Sequence, residues 1–274
     1  MITGLAIMSY NRPHYLQREL ETLGENDLTD TDIHLWQDGA LDEDAESAVE
    51  KSVQVFEGAD LPRKTVHRNE SNMCCAAMRL QVMPWMANHY EQFICMDNDI
   101  LLSPFALHHM RTLFEQYRDD ERIGSISLGF RTITLPTHEY RDKVCSAAGH
   151  FWCEGWWTDK WRTLWCWYRK YYECISDVPY RNLEQRSAEV ANWAQSIGSS
   201  ILEPSSDTAL LRCIEMENFI RIRFVVNRAR GIGEHGLHSN NVVWASLDLG
   251  NQPLHTWPDE VDITQFELVP TPSP

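Results

Sequence analysis

The feature that most constrains the fold is a pairing repeated through the first half of the chain. A short apolar run ends on polar residues, and a stretch with helical spacing follows. Ile2–Met8 is the first such run and stops at Ser9-Tyr10-Asn11-Arg12. Pro13 suits a first helical position, and Leu16, Leu20 and Leu23 then recur along one helical face. Ile33–Trp36 is the second run, ended by Gln37-Asp38-Gly39, and an acidic helix over Glu43–Phe56 comes next. Thr65–His67 makes a third short strand. Residues 73–90 have helical spacing, with Pro84 expected to end or kink the helix. Phe93–Met96 is a compact apolar strand that runs straight into Asp97-Asn98-Asp99. Ser103-Pro104 reads as an N-cap with Pro at the first helical position, opening a helix through Tyr117 with Met110, Leu113 and Phe114 facing inward. Ile123–Leu128 is another strand. This alternation predicts an α/β fold with a mixed, mainly parallel sheet flanked by helices. In such sheets ligands gather at the carboxyl ends of the strands, which here carry Asn11, Asp38 and the Asp97–Asp99 triplet.

The second half differs in character. Six tryptophans stand between residues 152 and 167, followed by helix-like segments around 183–197 and 207–217. An apolar strand, Ile220–Val226, then leads into a glycine-punctuated loop from Gly231 to His238. Aromatics at mixed helical spacing belong first of all to a core. Six of them exceed what one amphipathic helix buries, so one or two of Trp152, Trp156 and Trp157 are expected to face a ligand, with Trp161 and Trp165 buried. The expected organisation is one domain over 1–274. Residues to about 130 form a nucleotide-binding half, and residues 131–265 an acceptor-binding half.

Composition excludes several classes. The formal net charge of −16 argues against nonspecific binding to nucleic acid or to an anionic membrane, both of which reward clustered Lys and Arg. An anionic ligand is compatible with that charge if a metal ion or local arginines neutralise it. The eight cysteines show no paired metal-site spacing, and several sit in apolar runs, which predicts reduced thiols in a cytoplasmic protein. Ile2–Met8 is too short for a signal peptide or a membrane span.

The chemistry centres on Asp97-Asn98-Asp99. Two carboxylates at i, i+2 on the end of a hydrophobic strand offer hard oxygen ligands, which suit Mg²⁺ or Mn²⁺ bridging to a diphosphate. The plain alternative is a solvated turn after a strand. Asp207 follows Pro204-Ser205-Ser206 and opens a helical stretch. It suits a general base that takes a proton from an acceptor hydroxyl, and it equally suits the N-cap of that helix. Glu154 and Asp159 are its rivals in the aromatic segment, and Asp177 is a weaker one. His235 and His238 lie in the glycine-punctuated loop, where a neutral imidazole can complete a Mn²⁺ site. The alternative is two surface histidines. A nucleotidyltransferase also pairs a nucleotide-binding sheet with metal-binding carboxylates, but usually carries a glycine-rich loop after the first strand, and Ser9–Pro13 has no glycine. A noncatalytic carbohydrate- or nucleotide-binding module is the rival from another class.

An ordered series of short motifs resembles the metal-dependent, inverting GT-A glycosyltransferases. Ala6–Pro13 looks like the first strand and nucleotide loop of that group, and Trp36-Gln37-Asp38-Gly39 like its second strand end. Asn69–Arg79 resembles the segment whose polar and basic side chains approach the donor. Met96–Ile100 is similar to its Asp-x-Asp signature, and Trp152–Trp157 to its Gly-Trp acceptor loop. Glu203–Arg212 resembles the segment that supplies the base, and Gly233–Ser239 the loop that returns a histidine to the metal. The resemblance implies transfer of a sugar from a nucleotide diphosphate donor, a UDP-sugar, to an acceptor hydroxyl with inversion. It implies Asp97, Asp99 and a histidine, His238 in preference to His235, as ligands of Mn²⁺ or Mg²⁺. Tyr10, Arg12 and Asp38 would meet the nucleoside, Arg79, Asp97 and Asn98 the diphosphate side, and Asp207 would be the base.

Overall fold

The computed structural model describes residues 1–129, 138–147, 149, 151–175, 187–198, 206–235, 254 and 257–272. The first four strands are β1 (Thr3–Ser9), β2 (Thr31–Gln37), β3 (Lys64–Arg68) and β4 (Gln92–Asp97). They lie side by side and parallel in the order β3-β2-β1-β4. Between them run α1 (Pro13–Gly24), α2 (Glu43–Gly58) and α3 (Cys74–His89). The chain then makes a short strand β5 (Ile100–Leu102), helix α4 (Ala106–Gln116) and strand β6 (Ile123–Ser127). Strand β7 (Lys143–Ser146) is followed by β8 (Cys153–Trp157), which passes directly into α5 (Thr158–Ile175). Helices α6 (Ser187–Ser196) and α7 (Ser206–Met216), strands β9 (Ile220–Phe224) and β10 (Ala229–Gly231), and the short β11 (Glu267–Leu268) complete the described α-helices and strands. One nine-stranded sheet runs β11-β7-β9-β6-β8-β4-β1-β2-β3, and β10 pairs with β5 outside it. Strand β8 is antiparallel to both its neighbours, β4 and β6, and β7 is antiparallel to β9, so the sheet is mixed and mainly parallel.

The period-2 alternation of the strands sorts two cores. Leu5, Ile7, Ile94, Met96 and Trp157 face α1, α2 and α4 through Leu16, Leu20, Phe56, Met110 and Phe114. Ala6, Met8, Phe93, Cys95 and Trp156 face α3, α5, α6 and α7 through Met78, Met83, Trp161, Tyr168, Trp193 and Leu210. No helix among the described residues is long and apolar enough to cross a membrane.

Several expectations need correction. Helix α3 continues through Pro84 to His89. Helix α4 does not begin at Pro104: its N-cap position is Phe105, with no side-chain cap, and Ser103 contributes its carbonyl to the Ala106 N–H. Trp156 and Trp157 are fully buried, because β8 lies between β4 and β6 with helices on both faces. Of the three expected to face a ligand, Trp152, at the rim just before β8, is half-buried, and Trp165 on α5, expected to be buried, is half-buried as well. No disulfide joins cysteines among the described residues.

Candidate functional site

The parallel strands β1, β2 and β4 end at one edge of the sheet, and their last residues place the polar side chains. Strand β4 ends at Asp97, whose N–H donates to the Trp152 carbonyl at 3.0 Å. After Asn98-Asp99 the chain turns into β5, where antiparallel pairing with β10 brings the late loop back onto the triplet. The Ile232 N–H donates to the Asp99 carbonyl at 2.8 Å. A Cβ on Gly233 would stand 2.1 Å from Asp99 Oδ2, so glycine is what permits this approach.

Two arginines neutralise the two carboxylates. Arg12, from the loop after β1, lies 2.7 Å from Asp99 Oδ2 and donates to Asn98 Oδ1 at 2.8 Å. Its guanidinium sits over the Tyr15 ring, 5.4 Å from the centroid. Arg79, on α3, places Nη2 3.2 Å from Asp97 Oδ1 and Nη1 2.9 Å from Asp207 Oδ1. Three carboxylates and two arginines therefore share one rim. Burial pushes the Asp97 carboxyl up to about 6, opposed by Arg79 and reinforced by Asp99 and Asp207.

The remaining expected residues fall differently. Asn98 is buried, its amide donating to Ser9 Oγ at 3.3 Å while its oxygen holds Arg12, so it faces the protein. The Tyr10 hydroxyl accepts from the Leu41 N–H at 3.1 Å. Asp38 is 2% exposed. Its Oδ1 accepts from the Gly39 and Met73 N–H groups and the Asn69 amide, and its Oδ2 accepts from the Cys74 N–H and the Asn72 amide. A carboxylate so fully engaged holds the segment that opens α3. Asp207 is not an N-cap, since α7 already begins at Ser206, and it sits in the first turn of the helix. Glu154 lies in the middle of the sheet at 1% exposure, with Ser125 and Arg221 on Oε1 at 2.6 and 2.8 Å and Arg221 again on Oε2 at 2.8 Å. A carboxylate locked in this way inside β8 is a structural ion pair and not a base. Asp159 is paired with Arg118 on the outside of α5. His235 meets the site through its backbone, its N–H donating to the Tyr15 hydroxyl at 3.4 Å. His238 and Asp177 lie outside the described residues.

Sequence reasoning missed Glu19. This α1 side chain is fully buried behind the triplet, where Oε2 accepts from the Ile100 N–H at 3.2 Å and Oε1 has no hydrogen-bond partner among the described residues. Burial, with Asp99 and Asp97 nearby, raises its carboxyl well above the usual range. Its only signal in the sequence is a charge on the apolar face of α1.

The donor set fits a hard divalent cation in part. Among the described residues no hydrogen bond is made to Asp97 Oδ2 or Asp99 Oδ1, which leaves one oxygen of each carboxylate for a metal. No group of three His, Cys, Asp or Glu side chains among the described residues forms a complete site. Further ligands would come from a bound diphosphate, from water or from residues beyond that set.

No family model and no curated protein matches the sequence. Among solved structures, the chain is similar to the mannosyltransferase PcManGT of Pyrobaculum calidifontis in complex with GDP-Man and Mn²⁺. The identity is 12% and the TM-score 0.41, over 78% of this chain and 69% of that one. It is also similar to S. aureus TarS 1–349 in complex with UDP, at 12% identity and a TM-score of 0.45, over 78% and 71% of the two chains.

Proposed function

We propose that this chain is a glycosyltransferase that moves a sugar from a nucleotide diphosphate donor, a UDP-sugar, to an acceptor hydroxyl with inversion. The observation that carries the reading is the convergence of Asp97, Asp99 and Asp207 with Arg12 and Arg79 at one strand edge, from segments far apart in sequence. The ordered motifs that resemble GT-A enzymes supply those same residues.

Asp97 and Asp99 would hold Mn²⁺ or Mg²⁺ through their remaining oxygens, and the bound cation supplies Lewis-acid neutralisation of the diphosphate. Arg12, a quarter exposed at the rim, adds a cation on the donor side. The acceptor oxygen forms its bond to the anomeric carbon as the bond from that carbon to the phosphate oxygen breaks. The bonding pair leaves with the nucleoside diphosphate, and the hydroxyl proton passes to Asp207. Attack from the face opposite the leaving group inverts the anomeric centre.

The test is a panel of UDP-glucose, UDP-galactose, UDP-N-acetylglucosamine and GDP-mannose, each with and without Mn²⁺, read by melting temperature and by release of nucleoside diphosphate. A Mn²⁺-dependent rise in melting temperature and slow release from a UDP-sugar are expected, since a ligand of the native state stabilises it by mass action. Silence in both readouts across the panel would overturn the reading. Binding without release would favour a noncatalytic module.

A further inference from the structure

Arg79 bridges two carboxylates of the site, Asp97 and Asp207. It lies on α3, is 8% exposed, and directs its two terminal nitrogens at carboxylates from different parts of the chain. Nη2 reaches Asp97 at the end of β4, and Nη1 reaches Asp207 in the first turn of α7, 128 residues after Arg79 in the sequence. A guanidinium is a rigid planar fork, so engaging one carboxylate with each terminal nitrogen fixes the spacing between them as well as their charge. Arg12 is differently placed: its side chain is 26% exposed, against 9% for Arg79. A diphosphate arriving at the rim meets Arg12 in the open, and meets Arg79 behind two carboxylates.

We propose that Arg79 is a positioning residue that sets Asp207 at a fixed place relative to Asp97, and does not itself hold the donor diphosphate. The inference rests on the glycosyltransferase reading and replaces the expectation that Arg79 contacts the donor. The guanidinium that orients the donor-side carboxylate also aims the carboxylate that takes the acceptor proton. Without the fork, the like charges of Asp97 and Asp207 face each other without the guanidinium that bridges them. A lysine keeps the positive charge but, as a point charge on a flexible stem, does not fix two carboxylates at a set separation.

The experiment compares Arg79→Lys, Asp207→Asn and the double variant. Hydrolysis of the panel above is followed with water as acceptor, and UDP affinity with Mn²⁺ is measured by calorimetry. Arg79→Lys is expected to lower the kcat of hydrolysis on the order of 10²-fold, the cost of a misplaced catalytic group, while UDP affinity holds within a few-fold. The double variant should be no slower than Asp207→Asn alone, because the contribution of Arg79 to turnover acts through the placing of that base. The inference is overturned if Arg79→Lys weakens UDP binding while kcat is kept, or if the two losses multiply. Should Arg79→Lys fail to melt cooperatively, Asp207→Glu moves the carboxylate by one methylene and leaves Arg79 intact. The same split, lower kcat with UDP affinity held, is then required. A wild-type protein silent on the whole panel would instead sink the glycosyltransferase reading itself, which separates the two failures.

Discussion

At the scale of single residues, Gly233 is the most sharply constrained position at the rim. Ile232 is fixed to the Asp99 carbonyl and Gly231 pairs with Ile100, so the backbone on that side has little freedom to move. An alanine Cβ would lie 2.1 Å from Asp99 Oδ2 and 3.2 Å from the Arg12 guanidinium, so the carboxylate and its arginine would have to shift. A displacement of about 1 Å at a binding or reacting group costs on the order of 10²-fold. Gly233→Ala is therefore expected to lower Mn²⁺-dependent UDP affinity by that order, and Asp99→Ala to abolish the Mn²⁺ dependence. Both variants should melt close to wild type, because the altered groups lie at the rim and not in either core. Calorimetry of UDP with and without Mn²⁺ decides it: unchanged affinity in both variants would remove Asp99 from the metal site.

At the scale of elements, the start of α3 depends on one side chain from the turn after β2. Asp38 holds the Met73 and Cys74 N–H groups, and Cys74 adopts φ 65°, a left-handed conformation rare outside glycine. Gly39 lies against the backbone of Ser71 so closely that a Cβ would stand 2.5 Å from its carbonyl carbon. Asp38→Ala would leave these buried donors unmatched at about 1–3 kcal/mol each. The expected outcome is a lower melting temperature and faster amide exchange at Met73 and Cys74. If melting and exchange stay normal while UDP binding falls, Asp38 is a nucleoside contact after all. Much of this level was legible in the sequence. The apolar runs at Ile2–Met8, Ile33–Trp36 and Phe93–Met96 become β1, β2 and β4 because a buried strand cannot hide its composition, and Asp97 and Asp99 follow from where β4 stops. What escaped depends on partners distant in the chain. The burial of Trp156, Trp157 and Glu154 follows from the place of β8 between β4 and β6, and the Arg79–Asp207 pair bridges segments that no local spacing connects.

For the molecule as a whole, two buried histidines link stability to pH. His34 on β2 contacts His67 Nε2 at 3.0 Å and the Tyr90 hydroxyl at 2.6 Å, and burial, aided by His67 and His89 against Asp32, pushes it down to about 4. His109 on α4 has Nε2 2.8 Å from the Glu260 carbonyl, and burial with Arg228 nearby pushes it down to about 3. Both are neutral in the fold, whereas the unfolded chain protonates its histidines near 6.5. Between about 6.5 and 4 the unfolded state thus binds more protons, so this contribution is present above 6.5 and is lost as pH falls. Buried carboxylates such as Glu19, Asp38 and Glu260, whose values are raised, work in the opposite sense, so the total curve mixes both signs. A difference measurement isolates the histidine. His34→Gln fills a similar space and has no proton to gain, and it should be less stable than wild type at pH 7. That gap should then narrow between pH 6.5 and 4.5, at a rate of at most about 1.4 kcal/mol per pH unit for one group. Urea unfolding at pH 7, 6, 5 and 4.5 measures it. A gap that stays constant across the series would mean that His34 takes up its proton in the fold as readily as in the unfolded chain, contrary to its buried place between β2 and α3.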